Sequence, residues 1–205
     1  MGFVGILDLR CNNSKSILSV LASIGINAEL ITTKHQIRAS NRLIIPGVGH
    51  IESIVREIDE LDYRDAITDF SKTGNYLLGI CLGQHLLGTG SEESPRAVTL
   101  GLLDFEVNKL PTNLQLGLRV PHVGWNSVST QSNHPLFNKI PPLSDFYFTH
   151  SYAITSPTEN TIALTEHSVE FTSVAGQGNI ISTQFHPEKS QKVGRQLLAN
   201  FCALS

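Results

Sequence analysis

Residues 76–83, Tyr76-Leu77-Leu78-Gly79-Ile80-Cys81-Leu82-Gly83, run from an apolar strand straight into a glycine-flanked turn. Tyr76–Ile80 reads as a buried strand, and the stretch from Leu82 to Leu87 as a short helix. Upstream the same alternation repeats. Phe3–Leu7 and Ala28–Ile31 read as strands, and Arg42–Ile45 as a third, stopped by Pro46-Gly47. Between the first two, Ile17, Leu21 and Ile24 share one helix face that Asn13 or Ser14 would cap. Ile51, Ile54, Val55, Ile58 and Leu61 fall at the spacing of an amphipathic helix. Downstream the pattern becomes strand and turn from Leu103 to Val128, with Pro111, Gly117, Pro121 and Gly124 as punctuation. Phe146–Phe148, Ile162–Leu164, Phe171–Val174 and Ile180–Phe185 continue as strands. A last helix starts near Ser190 and presents Val193, Leu197, Leu198 and Phe201 to the core. Strand–helix alternation of this kind implies an α/β fold: a mixed, mainly parallel central sheet with helices on both faces, plus antiparallel strands. No repeat, low-complexity tract or linker interrupts residues 1–205, so one domain is expected.

Composition narrows the function classes. The chain has 205 residues, 15 Lys+Arg against 18 Asp+Glu, and a net charge of −3. No basic excess is available for a phosphate backbone, so no nucleic-acid partner is expected. With 40% hydrophobic and 16% charged residues, the chain is not disordered. No apolar run approaches the roughly 18 residues of a membrane helix, and the N-terminus carries no signal-peptide pattern. Cys11, Cys81 and Cys202 are widely spaced and odd in number, which argues against a disulfide framework and for a reducing, cytoplasmic setting.

Three segments carry chemistry. In Gly79-Ile80-Cys81-Leu82-Gly83, small residues on either side of a nucleophile let strand turn abruptly into helix. Cys81 would then sit at a helix N-terminus, where the dipole favours the thiolate, with the Leu82 N–H toward a nascent oxyanion. The bland alternative is a small buried cysteine between turn glycines. In Gln184-Phe185-His186-Pro187-Glu188, residues i and i+2 of an extended segment point the same way, so His186 and Glu188 would line one site as base and orienting carboxylate. Alone, this is equally a solvated strand end. Pro46-Gly47-Val48-Gly49 follows a strand and would supply a second oxyanion N–H; alone, it is a plain turn. The segment is no dinucleotide fingerprint, because Glu52 stands where the third glycine belongs. A zinc reading of Cys81, His85 and His186 lacks the close ligand pairs of such sites, so no metal is expected. His35, His50, His134 and His167 read as surface residues.

In this order and spacing, the three segments resemble a class I, triad-type glutamine amidotransferase domain. Val120-Pro121-His122-Val123-Gly124-Trp125-Asn126, Tyr147-Phe148-Thr149-His150-Ser151-Tyr152 and Gln184–Ser190 are similar to the glutaminase subunits of imidazole glycerol phosphate synthase. The likeness spans essentially the whole chain. It implies glutamine hydrolysis without a cofactor. It also implies transfer of the ammonia through a channel to a (β/α)8-barrel cyclase in a heterodimer that serves histidine biosynthesis. Carried over by residue, it makes Cys81 the nucleophile, His186 the base and acid, and Glu188 its orienting group. The oxyanion donors are the Leu82 N–H and a peptide N–H of the Gly47-Val48 loop. The substrate amino and carboxylate groups fall to His150, Ser151 and Tyr152, and the subunit interface to Trp125 and Lys189. For these last two the bland readings are a core aromatic and a solvated cation.

The chain departs from the pattern in places. Family members usually have Cys-Leu-Gly-x-Gln with that glutamine on substrate; here His85 holds the position and Gln84 stands one place early. Asp8-Leu9-Arg10-Cys11-Asn12-Asn13 replaces a usual Asp-Tyr-Gly-x-Gly-Asn turn, and His50 and Ile51 replace small and aromatic residues. Rival expectations are the glutaminase subunit of a surface-sugar amidotransferase, a catalytically silent partner-binding module, and a cysteine peptidase or amidase on the same scaffold.

Overall fold

Short β-rich runs and helix-period segments alternate through the first ninety residues, and the computed structural model follows that alternation. It describes residues 2–10, 13–112 and 119–205. The expectations placed on Cys11, Asn12 and Gly117 lie outside the described residues. The chain forms β1 (Val4–Leu7), α1 (Ser14–Ser23), β2 (Ala28–Ile31), α2 (Lys34–Ala39), β3 (Arg42–Gly47), α3 (Ile51–Glu60), α4 (Arg64–Ser71), β4 (Tyr76–Cys81) and α5 (Leu82–Leu87). Strands dominate the second half: β5 (Gly90–Ser91), β6 (Glu106–Lys109), β7 (His122–Ser127), β8 (Ser129–Thr130), β9 (Asp145–His150), β10 (Tyr152–Ala153), β11 (Thr161–His167), β12 (Val169–Gln177) and β13 (Ile180–Thr183). A 3-10 turn at Pro187–Lys189 leads into α6 (Gln191–Ala203).

Among the described residues the main sheet has eight strands, in the order β2-β1-β3-β4-β13-β12-β11-β8. Its first five strands run parallel, and β12, β11 and β8 add antiparallel. The expected mixed, mainly parallel sheet is therefore present. Two smaller sheets stand beside it, β10-β6-β5 and the hairpin-like pair β7-β9. Successive strand residues face opposite ways. Ile44, Leu78 and Ile80 join one core with Ile17 and Leu21 of α1 and Leu197, Leu198 and Phe201 of α6. Leu43, Ile45 and Leu77 join another with Ile54 and Ile58 of α3, Phe70 of α4 and Leu86 of α5. Each fully buried aliphatic of this kind stabilises by about 1.5–3 kcal/mol over exposure.

Several local expectations are corrected. Pro46-Gly47 does not stop β3. The strand continues through both, pairing Pro46 with Ile80 and Gly47 with Cys81. The pairing with β1 ends at Ile44, so the proline, which lacks an N–H, lies where one strand edge is open. Asn13 precedes α1 but makes no side-chain cap. Two helices, α2 and α4, add to the expected elements. α2 begins with a Thr33/Gln36 capping box, a signal present in the sequence. α4 buries Ala66, Ile67 and Phe70 on a stretch too polar to show a clear period.

Candidate active site

Three adjacent parallel strands, β3, β4 and β13, end side by side. Ligands in open α/β sheets bind at such carboxyl ends. The chain leaves β4 through Cys81, whose backbone has φ 54° and ψ −107°. A positive φ at a non-glycine residue costs roughly 1–3 kcal/mol and persists only where the surroundings enforce it. Close packing enforces it here. A Cβ on Gly83 would lie 2.0 Å from the Ile45 carbonyl oxygen, one on Gly79 2.6 Å from the Gly83 oxygen, and one on Gly47 2.7 Å from the Leu82 Cβ. The glycines thus bring α5 hard against β3 and β4. That leaves the sulfur on the corner, at the start of a helix whose first N–H groups have no helical partner.

His186 follows β13, and its N–H donates to the Tyr147 carbonyl at 2.9 Å. Its Nδ1 is 2.7 Å from Glu188 Oε1, with both side chains essentially inaccessible. The extended i, i+2 geometry expected for this pair is not what joins them. Glu188 lies in the 3-10 turn, which folds its carboxylate back onto the imidazole. Gly194 lets α6 approach that turn, since a Cβ there would meet the Pro187 oxygen at 1.9 Å. Among the described residues, Nε2 of His186 has no hydrogen-bond partner of ordinary length. Burial alone would lower this imidazole. The Cys81 sulfur, as negative charge and as hydrogen-bond partner, and then Glu188 outweigh burial and raise it to about 10. The structure thus brings Cys81, His186 and Glu188 together.

A cleft of about 280 Å³ opens in front of the sulfur, at the small end of ligand clefts. Val48, Cys81, Leu82, His85, His150, Ser151 and Tyr152 all line it. Gly47 does not, but its pairing with Cys81 sets the Gly47-Val48 peptide beside the nucleophile. In contrast to His186, the cleft histidines are held neutral. Burial lowers His85, against a Gln184 hydrogen bond and the Glu93 charge. Burial likewise puts His150 well below its ordinary value, against its bond to the Tyr152 carbonyl. His150 Nε2 meets His122 Nδ1 at 3.0 Å, and His122 is lowered by burial and by His167 to about 4.

Trp125 and Lys189 lie away from the cleft. Trp125 is 47% exposed, which overturns the core-aromatic reading. Its ring meets Tyr147 edge-on at 6.0 Å, and Lys189 Nζ lies 5.6 Å over that Tyr147 ring. Val123, two residues away on the same face of β7, is 57% exposed. The result is an exposed aromatic and cationic patch on the strand pair that also carries His122 and His150 on its inner side.

Sequence reasoning missed four participants. Asn13 Nδ2 donates to Glu188 Oε1 at 2.7 Å across 175 residues, a contact that only the fold creates. Glu93 lines the cleft and accepts the Ile51 N–H at 2.7 Å. Gln184 Nε2 lies 3.8 Å from the Cys81 sulfur; it stood inside the quoted motif without a role. His167, read as a surface residue, stacks on His122 at 4.0 Å. The departure at His50 has a local cause, since its Nδ1 accepts the Glu52 N–H and caps α3.

The family described as glutamine amidotransferase class-I matches residues 6–204. The Pectobacterium atrosepticum protein named imidazole glycerol phosphate synthase subunit HisH is 38% identical over 198 residues, 97% of each chain. The HisH subunit of Methanosarcina barkeri is 36% identical over 96% of both chains. Among solved structures, a glutamine amidotransferase superposes with a TM-score of 0.77 at 20% identity over 98% of each chain, a likeness of fold. The chain therefore belongs to the class-I glutamine amidotransferase family and, within it, to the HisH subunits of imidazole glycerol phosphate synthase.

Proposed function

We propose that this chain, as one amidotransferase domain over residues 1–205, hydrolyses glutamine and passes the ammonia to a (β/α)8-barrel cyclase in the cytoplasm. The observation that carries the reading is the strained corner at Cys81 beside the buried His186–Glu188 pair. The Cys81 thiolate attacks the side-chain amide carbon of glutamine. The new oxyanion meets the Leu82 N–H and a peptide N–H of the Gly47-Val48 loop. His186 gives its proton to the leaving nitrogen, and ammonia departs as the carbonyl re-forms into a γ-glutamyl thioester. His186 then takes a proton from water, which attacks the thioester and releases glutamate. Glu188 orients the imidazole and stabilises its charged form, and Asn13 holds Glu188. In the cleft, Glu93 is the carboxylate suited to the substrate ammonium, beside His85, His150, Ser151 and Tyr152.

The exposed patch of Trp125, Val123, Tyr147 and Lys189 supports a protein partner, because aromatic side chains such as Trp125 and Tyr147 anchor interfaces. We assign that face to the cyclase. Glutamate release, measured for the chain alone and with its barrel partner and ligand, tests the reading. The lone chain should be nearly inactive, the complex active, and the Cys81→Ala complex silent. Equal near-zero release by wild type and Cys81→Ala would instead make this a silent binding module. Activity only with a sugar amidotransferase would move it to surface-sugar amidination.

A further inference from the structure

His85 stands where relatives of this fold usually carry glutamine, and the structure shows what it touches. Its Nε2 is 2.9 Å from Gln184 Oε1, and both side chains are buried. The other end of the Gln184 amide, Nε2, faces the Cys81 sulfur at 3.8 Å. His85 Nδ1 is buried without a hydrogen-bond partner among the described residues, and it belongs to a residue lining the cleft.

Amide orientation and tautomer are locked together in such a chain. A neutral imidazole donates from one nitrogen and accepts at the other. If Gln184 pointed its oxygen at the sulfur, a thiolate would face an acceptor, and His85 would carry a buried, unpartnered Nδ1–H. With the amide nitrogen toward sulfur, Oε1 accepts from His85 Nε2–H. The orphaned atom is then a buried Nδ1 lone pair rather than a buried N–H. Only the second arrangement makes Gln184 a donor to the sulfur.

We propose that Gln184 is a positioning residue for Cys81: its amide donates to the sulfur, and His85 Nε2–H holds the amide in that orientation. This rests on Cys81 as the nucleophile and adds to the triad a donor that His186 does not supply. It also assigns the His85 departure a role independent of substrate: it selects which end of Gln184 the nucleophile meets.

The test uses the full chain and iodoacetamide, with alkylation of the Cys81 peptide followed by mass spectrometry across pH. Gln184→Leu preserves bulk and removes the donor, and alkylation at neutral pH should slow about tenfold, with the profile moving to higher pH. Gln184→Glu places a carboxylate against the sulfur and should slow it further. His85→Phe cannot donate and should act in the same direction, and combined with Gln184→Leu it should add nothing. An unchanged pH profile in a folded Gln184→Leu chain overturns the proposal. So does additivity of the two substitutions. Nitrogen-15 NMR of the unmutated chain gives a reading that needs no variant. His85 protonated on Nε2 and bare on Nδ1 supports the proposal; the opposite tautomer overturns it. A wild-type chain whose Cys81 is not alkylated, or a Cys81→Ala complex that still releases glutamate, would instead remove the nucleophile itself.

Discussion

Replacing Cys81 by alanine should drop the His186 titration by about two pH units. The imidazole is buried, which opposes its charging, yet it is raised from 6.5 to about 10. Two influences of the sulfur, as charge and as hydrogen-bond partner, outrank the two from Glu188. Deleting the thiol therefore removes at least half of what lifts the imidazole, while burial is untouched. The loss is on the order of two pH units, or roughly 3 kcal/mol of differential interaction. The sign for stability follows from the same shift. Below 6.5 the native and unfolded chains both hold the proton. Between 6.5 and about 10 only the native chain holds it, so this contribution falls as pH rises and is gone above the folded value. Long-range nitrogen–proton NMR spectra of the histidine-labelled chain read the titration directly. The wild type should titrate above about pH 9 and Cys81→Ala below about pH 8. The same midpoint in both would refute the reasoning, because the sulfur would then lie outside the imidazole's reach.

Gly83→Ala drives a Cβ to 2.0 Å from the Ile45 oxygen and should cost about 3 kcal/mol or more in urea unfolding; wild-type stability would deny the close approach of α5 to β3. Asn13→Ala leaves Glu188 short of a half-buried donor; kcat should fall with KM unchanged, and stability should drop by about 1.5–3 kcal/mol. Glu93→Gln removes the cleft carboxylate and should raise KM for glutamine about tenfold with kcat little changed, so an unaltered KM would exclude it from substrate binding. Trp125→Ala should leave the lone chain within about 0.5 kcal/mol of wild type while weakening cyclase binding at least roughly tenfold in a titration.

The sheet was legible because β1, β3 and β4 are runs rich in Val, Ile and Leu buried on both faces, and α3 shows an undiluted apolar stripe. Cys81 announced itself through glycines that have no purpose except close approach. What stayed hidden depends on contacts distant in sequence. Asn13 reads as a helix cap on local grounds, and nothing near it points to Glu188. Gln184 and His85 are separated by 99 positions, and only the adjacency of β4 and β13 turns them into one network. The role of Glu93 is equally remote, set by a loop folding over the end of α3. Periodicity also misplaced the geometry of His186 and Glu188, since a turn that starts at a proline reads as extended chain.

The account rests on the sulfur at residue 81 taking the glutamyl group. Acid-quenching the cyclase complex during glutamine turnover and mapping peptides by mass spectrometry should reveal a γ-glutamyl thioester on the peptide containing Cys81, absent from Cys81→Ser. Steady glutamate release with no acyl group on that peptide, or an unimpaired rate in Cys81→Ser, would contradict it.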